Sequence, residues 1–140
     1  MKDLFNQIHP LRAISPVSVA DTTAQVGQII DRRGFESLTY VINIGAIADA
    51  DATFTVLLEE GDAVNLSDAT AVVDADLLGT EVLAAFRFDD DNETRKLGYI
   101  GSKRYTRLTI TPVANASAAM VSAVAILGNP AIAPTANPPV

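Results

Sequence analysis

The most informative stretch of the sequence is Arg95-Lys-Leu-Gly-Tyr-Ile-Gly-Ser-Lys-Arg-Tyr-Thr-Arg-Leu-Thr-Ile-Thr111. From residue 104 onward, β-branched and aromatic residues alternate between two faces, which is the pattern of a β-strand. Gly101-Ser102 separates this strand from an earlier apolar run, so the stretch predicts a β-hairpin. Pro112 should end the second strand, because proline has no N–H to donate to a β-ladder.

Similar patterns predict strands elsewhere in the chain. The strongest lie at Ser37–Gly45 and Ala52–Glu60, where apolar and polar residues alternate. A strand near Arg12–Ala20 should lie at a sheet edge, because it contains Pro16. Two further strands are predicted at Thr80–Phe88 and Ala119–Leu127, and the second should be central and buried, because it is apolar on both faces.

These strands, with no long helical period between them, predict an all-β fold. We expect one β-sandwich or jelly-roll-like domain of about seven or eight strands. It should occupy residues 13–128, preceded by an extended N-terminal arm at 1–12 and followed by a Pro-rich tail at 129–140, which contains Pro134, Pro138 and Pro139.

Composition excludes several classes of protein. The 140 residues include no Cys, which rules out disulfides and thiolate metal sites. A net charge of −7 argues against non-specific binding to nucleic acid and against anionic membrane surfaces. No apolar run approaches the length of a membrane span, and the first residues lack the apolar core of a secretory signal.

The charges are unevenly distributed along the chain. Residues 49–93 contain thirteen acidic side chains and one basic one, whereas residues 95–107 contain five basic and no acidic ones. Two interpretations remain open. The charges either lie on solvated loops or form complementary patches, which would pair within one chain or between copies. Lys103, Arg104 and Arg107 are therefore candidate contact residues.

Chemistry-bearing residues are sparse. His9 is the only histidine, and no phosphate-binding glycine motif is present. Paired acids at 49/51, 74/76 and 89–91 would suit either Ca²⁺ or solvated turns, and a glycosidase pair such as Glu59 and Glu81 would need an aromatic platform for sugar. The tyrosines at 40, 99 and 105 form either such a stacking patch or part of the core. We predict a protein that is not an enzyme and has no metal or cofactor.

Four segments resemble small proteins of tailed phages and prophages that are encoded among head genes, near the major capsid protein. They are MKDLFNQIHPLRAISP (1–16), ADATFTVLLEE (50–60), DADLLGTE (74–81) and RKLGYIGSKRYTRLTITP (95–112). The resemblance covers most of the chain but carries no catalytic motif. It implies a structural protein of the virion, which is made in the bacterial host cytoplasm and binds the outside of the capsid as a decoration or cement protein.

This resemblance implies two partners, the major capsid protein and further copies of the chain, with a trimer favoured over a dimer. We expect the segments 1–16 and 128–140 to contact the partner, through Leu4, Phe5 and Ile8 at one end and the three prolines at the other, and deletion of both to leave a folded domain. Two alternatives remain open: a β-sandwich that binds a receptor or glycan, and a component of the head–tail connector or neck.

Overall fold

The computed structural model describes residues 2–139 and confirms the all-β sandwich. The described residues form eleven strands and one short α-helix: β1 (Ile8–Val19), β2 (Gln25–Val26), β3 (Ile30–Asp31), β4 (Phe35–Ile47), β5 (Thr53–Gly61), β6 (Thr70–Ala71), β7 (Leu77–Leu78), α1 (Glu81–Ala84), β8 (Phe86–Arg87), β9 (Thr94–Tyr99), β10 (Tyr105–Val113) and β11 (Ala119–Pro130). Two 3₁₀ turns, Phe5–Gln7 and Asp74–Asp76, precede β1 and β7. Five of these strands contain only two residues, which is why the count exceeds the predicted seven or eight.

Two antiparallel sheets face each other. The first has the strand order β1-β11-β4-β9-β7, and the second has the order β2-β10-β5-β6, with β3 also on β10 and β8 also on β5. The prediction that β1 is an edge strand and that 119–127 is central is therefore confirmed. Pro16 is tolerated in β1 because an edge strand has one side without ladder partners.

The core lies between the two inner faces. In β4, every second residue points inward, and these residues are at most 2% exposed: Leu38, Tyr40, Ile42 and Ile44. Leu108 and Ile110 of β10 face them from the second sheet and are fully buried. Each such side chain stabilises the fold by about 1.5–3 kcal/mol when it leaves water. Phe54 and Phe86 stack with their ring centroids 4.6 Å apart and fill the side near α1.

The predicted hairpin over 95–111 is wrong. β9 pairs with β4 in the first sheet, whereas β10 pairs with β5 in the second, so Ile100–Arg104 crosses between the sheets. Both strands carry large inward residues, which the two sheets bury against each other. The Tyr99 hydroxyl accepts a hydrogen bond from the Lys103 N–H at 3.0 Å, which fixes the crossover. Gly101 gives the ring room, because a Cβ there would lie 2.5 Å from that hydroxyl.

Three boundaries also differ from the predictions. β1 begins at Ile8, so residues 8–12 of the predicted arm belong to the first sheet. Only the part of the arm before Ile8 lies outside it. Pro112 does not end its strand, because it lies opposite Phe54 and β10 continues to Val113. β11 continues to Pro130, two residues into the predicted tail.

The predicted strand Thr80–Phe88 is also wrong. Its first half forms α1, whose N-cap Thr80 accepts a hydrogen bond from the Leu83 N–H at 3.0 Å. Only Phe86–Arg87 forms a strand. The Glu81 carboxylate accepts a hydrogen bond at 2.7 Å from the Leu58 N–H of β5, which anchors the helix to that strand.

The central strand β11 is buried on one face only. Its inward residues, such as Val121 and Leu127, are at most 3% exposed, whereas Met120 and Val124 on the other face are 44% and 40% exposed. The apolar outward residues therefore form a surface rather than a second core. No helix among residues 2–139 is long and apolar enough to cross a membrane.

Candidate functional site

The basic stretch is largely neutralised within its own chain. Arg95 pairs with Asp90 and Glu93, and the three candidate contact residues pair with three acids: Lys103 with Asp62 at 2.7 Å, Arg104 with Asp31 at 2.9 Å, and Arg107 with Glu59 at 3.1 Å. The structure thus favours pairing within one chain. The assignment of these three residues to a partner contact stays a prediction.

Around the crossover lies a polar cluster, which we call the crossover junction and define as Arg32, Glu60, Tyr99, Gly101 and Lys103. The Arg32 guanidinium donates from Nε to the Lys103 carbonyl at 2.8 Å and from Nη2 to the Gly101 carbonyl at 3.1 Å. It also stacks over the Tyr99 ring, 4.7 Å from the centroid. The Tyr99 hydroxyl donates to the Glu60 carboxylate.

The junction holds Tyr99 in its neutral form. Burial raises the pKa of the Tyr99 phenol well above its usual value, and the hydrogen bond to Glu60 raises it further. The phenol therefore remains a donor at neutral pH. A second buried phenol, Tyr40, behaves similarly, because burial raises its pKa while its hydroxyl lies 2.7 Å from the Thr106 hydroxyl. Both residues serve the core rather than a solvent-accessible site.

None of the three tyrosines exposes a ring on which a sugar could stack. Tyr40, Tyr99 and Tyr105 are 0%, 1% and 7% exposed, so the alternative that they belong to the core is confirmed. His9 lies within β1, where it is buried and stacks on Phe35 with a centroid distance of 5.2 Å. It therefore does not lie in a flexible arm.

The acidic pair at 49/51 is engaged in local hydrogen bonds. The Asp49 carboxylate accepts the N–H groups of Asp51 and Ala116 at 3.0 and 2.8 Å. A hydrogen bond with the Asp51 side chain, and then these two backbone bonds, hold the pKa of Asp49 down at about 2. Between residues 2 and 139, no group of three or more His, Cys, Asp or Glu side chains is arranged to hold a metal ion.

The two chain ends, by contrast, meet at the surface. The Thr135 N–H donates to the Asn6 carbonyl at 3.1 Å, and Phe5, Ile8 and Pro10 line a small cavity of about 70 Å³ together with residues 135–137. The segment 131–139 contains no strand or helix and packs back against the start of β1. The sequence therefore predicted two terminal segments, and the structure brings them together.

Large apolar side chains of both terminal segments are exposed. Leu4 is 60% exposed, Phe5 is 67% exposed and Ile132 is 82% exposed. Pro134 and Pro138 are also exposed, whereas Ile8 and Pro139 are half-buried. We call Leu4, Phe5, Ile132, Pro134 and Pro138 the terminal patch. Ile132 was missed from the sequence, although its position in an uncharged segment was a usable signal.

The predicted deletion of 1–16 and 128–140 would not leave the domain intact. Residues 8–16 form most of β1, which pairs with β11 from Ile8 opposite Gly128 to Val19 opposite Ala119. Removing them would leave the backbone N–H and C=O groups along that edge of β11 without ladder partners. The part that can be removed without loss of a strand ends before Ile8.

Comparisons with known proteins identify no family for this chain. No protein family description matches the chain, and no curated protein sequence matches it. Among solved structures, the xylan-binding module CBM15 is 12% identical, with a TM-score of 0.48 over 93% of this chain and 95% of that one. The SPBc2 prophage-derived protein YomS is 14% identical, with a TM-score of 0.43 over 84% of this chain and 94% of that one.

A third similar structure contains the CBM22-1 and GH10 modules of xylanase 10B from Clostridium thermocellum. It is 13% identical, with a TM-score of 0.45, and the match covers 95% of this chain but 28% of that one. This chain therefore spans little more than a quarter of that structure. All three TM-scores lie below 0.5, and no statement about fold or function rests on these similarities.

Proposed function

We propose that this protein is a non-enzymatic structural component of a tailed-phage particle and that it binds the outside of the capsid through its terminal patch. The observation that carries the proposal is the exposure of Phe5, which lies beside residues 135–137, of its neighbour Leu4, and of Ile132 on the same C-terminal segment. Exposed apolar side chains gathered in one region mark interaction surfaces in folded proteins. The sequence resemblance to phage head proteins supports the major capsid protein as the partner.

The electrostatics of the patch suit burial against another protein. The chain carries no charged residue from 108 to 140, so its C-terminal contribution brings no charge that would have to be desolvated. At the N-terminal end, the Asp3 carboxylate accepts hydrogen bonds from the Asn6 N–H at 3.0 Å and its side-chain amide at 2.8 Å. Docking would therefore bury mainly apolar surface. The centres of protein interfaces are depleted in charged residues, and the patch shares that composition.

The proposed role needs no catalytic group. Many copies of one site on a symmetric capsid give each decorating protein the same apolar docking surface. The alternative of a glycan-binding module lacks an exposed tyrosine to stack on sugar. A neck or connector component would use the same patch chemistry but would occupy one vertex, so its copy number and position distinguish it.

The test is binding of purified protein to capsids that lack it. We expect the wild-type chain to saturate the capsid surface and the double variant Leu4→Ser/Phe5→Ser to bind at least about tenfold more weakly, because two buried apolar side chains contribute several kcal/mol. Val26→Ser is the matched control, since Val26 is 59% exposed on the second sheet. If the double variant bound as tightly as the wild-type chain, the terminal patch would not be the binding surface. If the wild-type chain did not bind, the capsid would not be its partner.

A further inference from the structure

The outward surface of the first sheet is a second large exposed region, and its composition differs from that of the terminal patch. We call it the outer face and define it by Arg12 of β1, Met120, Val124 and Ile126 of β11, Val41 of β4 and Lys96 of β9. The strand registers place Arg12 beside Val124, Val124 beside Val41, and Val41 beside Lys96, in one row across four strands. Two cations therefore flank an apolar centre.

Acidic residues are absent from the outward positions of these four strands, although the chain contains 17. Four of the five basic residues in 95–107 are paired with acids of the same chain. Lys96 is the exception, and Arg12 also forms no ion pair within residues 2–139; its guanidinium donates to the Ser15 hydroxyl at 2.7 Å. The outer face thus keeps a local positive charge on a protein whose net charge is −7.

A second surface on the same chain has the complementary properties. It is formed by Leu78, Val82 and Leu83 on and beside α1, and we call it the α1 ridge; these side chains are 57%, 83% and 72% exposed. The segment that carries it, residues 73–93, contains seven acidic residues, of which Asp89, Asp90 and Glu93 pair with Arg87 and Arg95. The other four acids form no ion pair within residues 2–139 and leave the segment negatively charged. The ridge borders the outer face at the side away from β1, where Leu78 lies against Gly98 of β9.

We infer that the outer face of one copy binds the α1 ridge of a second copy. Both surfaces are apolar at the centre, and the charges around them are opposite, which sets the register and suppresses wrong pairings. Two outer faces would not pair with each other, because each contributes two cations and no acid. The contact therefore joins two different surfaces, either head to tail around a closed ring or reciprocally across a two-fold axis in a dimer.

The available area is sufficient for a stable contact. The four strands of the face contain 12, 12, 13 and 6 residues, and at about 4.8 Å between strands and ~3.3 Å per residue they cover roughly 680 Å². Standard protein interfaces bury about 800 Å² per partner. The glycines at 45, 98 and 128 flatten the face, because a Cβ at each would lie within 2.9 Å of a neighbouring side chain.

The inference is independent of the terminal patch, and its test uses the full chain in solution. Light scattering behind size-exclusion chromatography and sedimentation over a concentration series should show an oligomer that dissociates on dilution. Two variants should each weaken association at least about tenfold: the face variant Arg12→Glu/Lys96→Glu and the ridge variant Val82→Gln/Leu83→Gln. Circular dichroism should show that both remain folded, because all four side chains lie at the surface.

Mixing the two variants gives the decisive result for a contact between the face of one copy and the ridge of another. The face variant keeps an intact ridge and the ridge variant keeps an intact face, so an equimolar mixture should form a 1:1 complex and nothing larger. Leu57→Gln on the second sheet and Arg33→Glu are the matched controls and should associate like the wild-type chain. A wild-type monomer at all concentrations, an oligomer unchanged in both variants, or a mixture that forms no complex would overturn the inference.

Discussion

The crossover junction and the terminal patch lie at the same end of the sandwich, but their side chains have opposite environments. Tyr99 of β9 pairs with Leu38 of β4. The residue before Leu38 is Ser37, which pairs with Gly128 of β11, and Gly128 in turn pairs with Ile8 of β1. Tyr99 and Ile8 therefore lie near the same end of the first sheet. At the junction, polar groups are drawn inside and hydrogen-bonded to one another. At the terminal patch, apolar groups remain in water.

The difference separates side chains that stabilise the fold from side chains that remain available to the proposed partner. Arg32 and Glu60 use their charges to fix the crossover, so their replacement should affect folding. Leu4 and Phe5 contribute little buried area in the isolated chain, so their replacement should affect binding. The four predictions below test this division, in order of decreasing effect on stability.

Arg32→Ala should cause the largest loss of stability. The substitution leaves the carbonyls of Gly101 and Lys103 without their charged donor and removes the cation over the Tyr99 ring. We expect a loss of about 2–3 kcal/mol in the free energy of unfolding, measured by urea denaturation. Arg33→Ala is the control, because Arg33 is its exposed neighbour, and it should change stability by less than about 0.5 kcal/mol. Equal effects of the two would contradict the role of the junction.

Tyr99→Phe should cost about 1.5–2 kcal/mol, because it removes the hydroxyl that donates to the largely buried Glu60 carboxylate. Tyr40→Phe removes a bond between two neutral hydroxyls and should cost only about 1 kcal/mol. Both unfolding free energies come from chemical denaturation. The reverse order would show that Glu60 finds another donor or leaves the interior.

Acid should weaken the rim of the junction by a smaller amount. The Lys103 ammonium holds the pKa of Asp62 below its ordinary value of 3.8, and the Arg104 guanidinium does the same for Asp31. A carboxyl whose pKa is lower in the folded chain binds fewer protons there than in the unfolded chain. Its contribution is therefore complete above about pH 5 and is lost as the pH falls below about 4 toward the folded pKa.

The pair Asp31→Asn/Asp62→Asn should make the unfolding midpoint less dependent on pH between about 3 and 5 than that of the wild-type chain. Glu36→Gln provides the matched control, because Glu36 forms no ion pair between residues 2 and 139. An unchanged slope in the Asn variant would mean that these surface pairs are screened by solvent.

Leu4→Ser/Phe5→Ser should have the smallest effect, within about 0.5 kcal/mol of the wild-type free energy of unfolding, because both side chains are already mostly exposed. A thermal or urea transition measures this directly. A loss of more than about 1 kcal/mol would show that the patch stabilises the isolated domain and would weaken its assignment as a binding surface.

Much of the fold could be predicted because local pattern and burial agree in the long strands. In β4 and β5, alternation matches the inward and outward faces, and the outer boundaries differ from the prediction by no more than two residues. The hairpin prediction failed because alternation records which residues point inward but not which sheet they belong to. The partner of Tyr99 across the crossover, Glu60, lies 39 residues away.

The helix α1 was missed because Val82, Ala84 and Phe86 alternate as they would in a strand. The informative signal was Thr80, which caps the helix, followed by Glu81 in the first turn. The terminal patch could be predicted only in part, since composition identified uncharged ends but not that they meet. The outer face could not be found from sequence, because Arg12 and Lys96 become neighbours in one row only through the pairing of β1, β11, β4 and β9.

The measurement that tests the central claim most directly is quantitative mass spectrometry, combined with electron cryomicroscopy, on purified particles of a tailed phage whose genome encodes this chain. Our account predicts many copies at regular positions on the outside of the head, with Leu4, Phe5 and Ile132 buried against the major capsid protein. Absence from the particle, or a few copies at a single vertex with the terminal patch facing solvent, would contradict it.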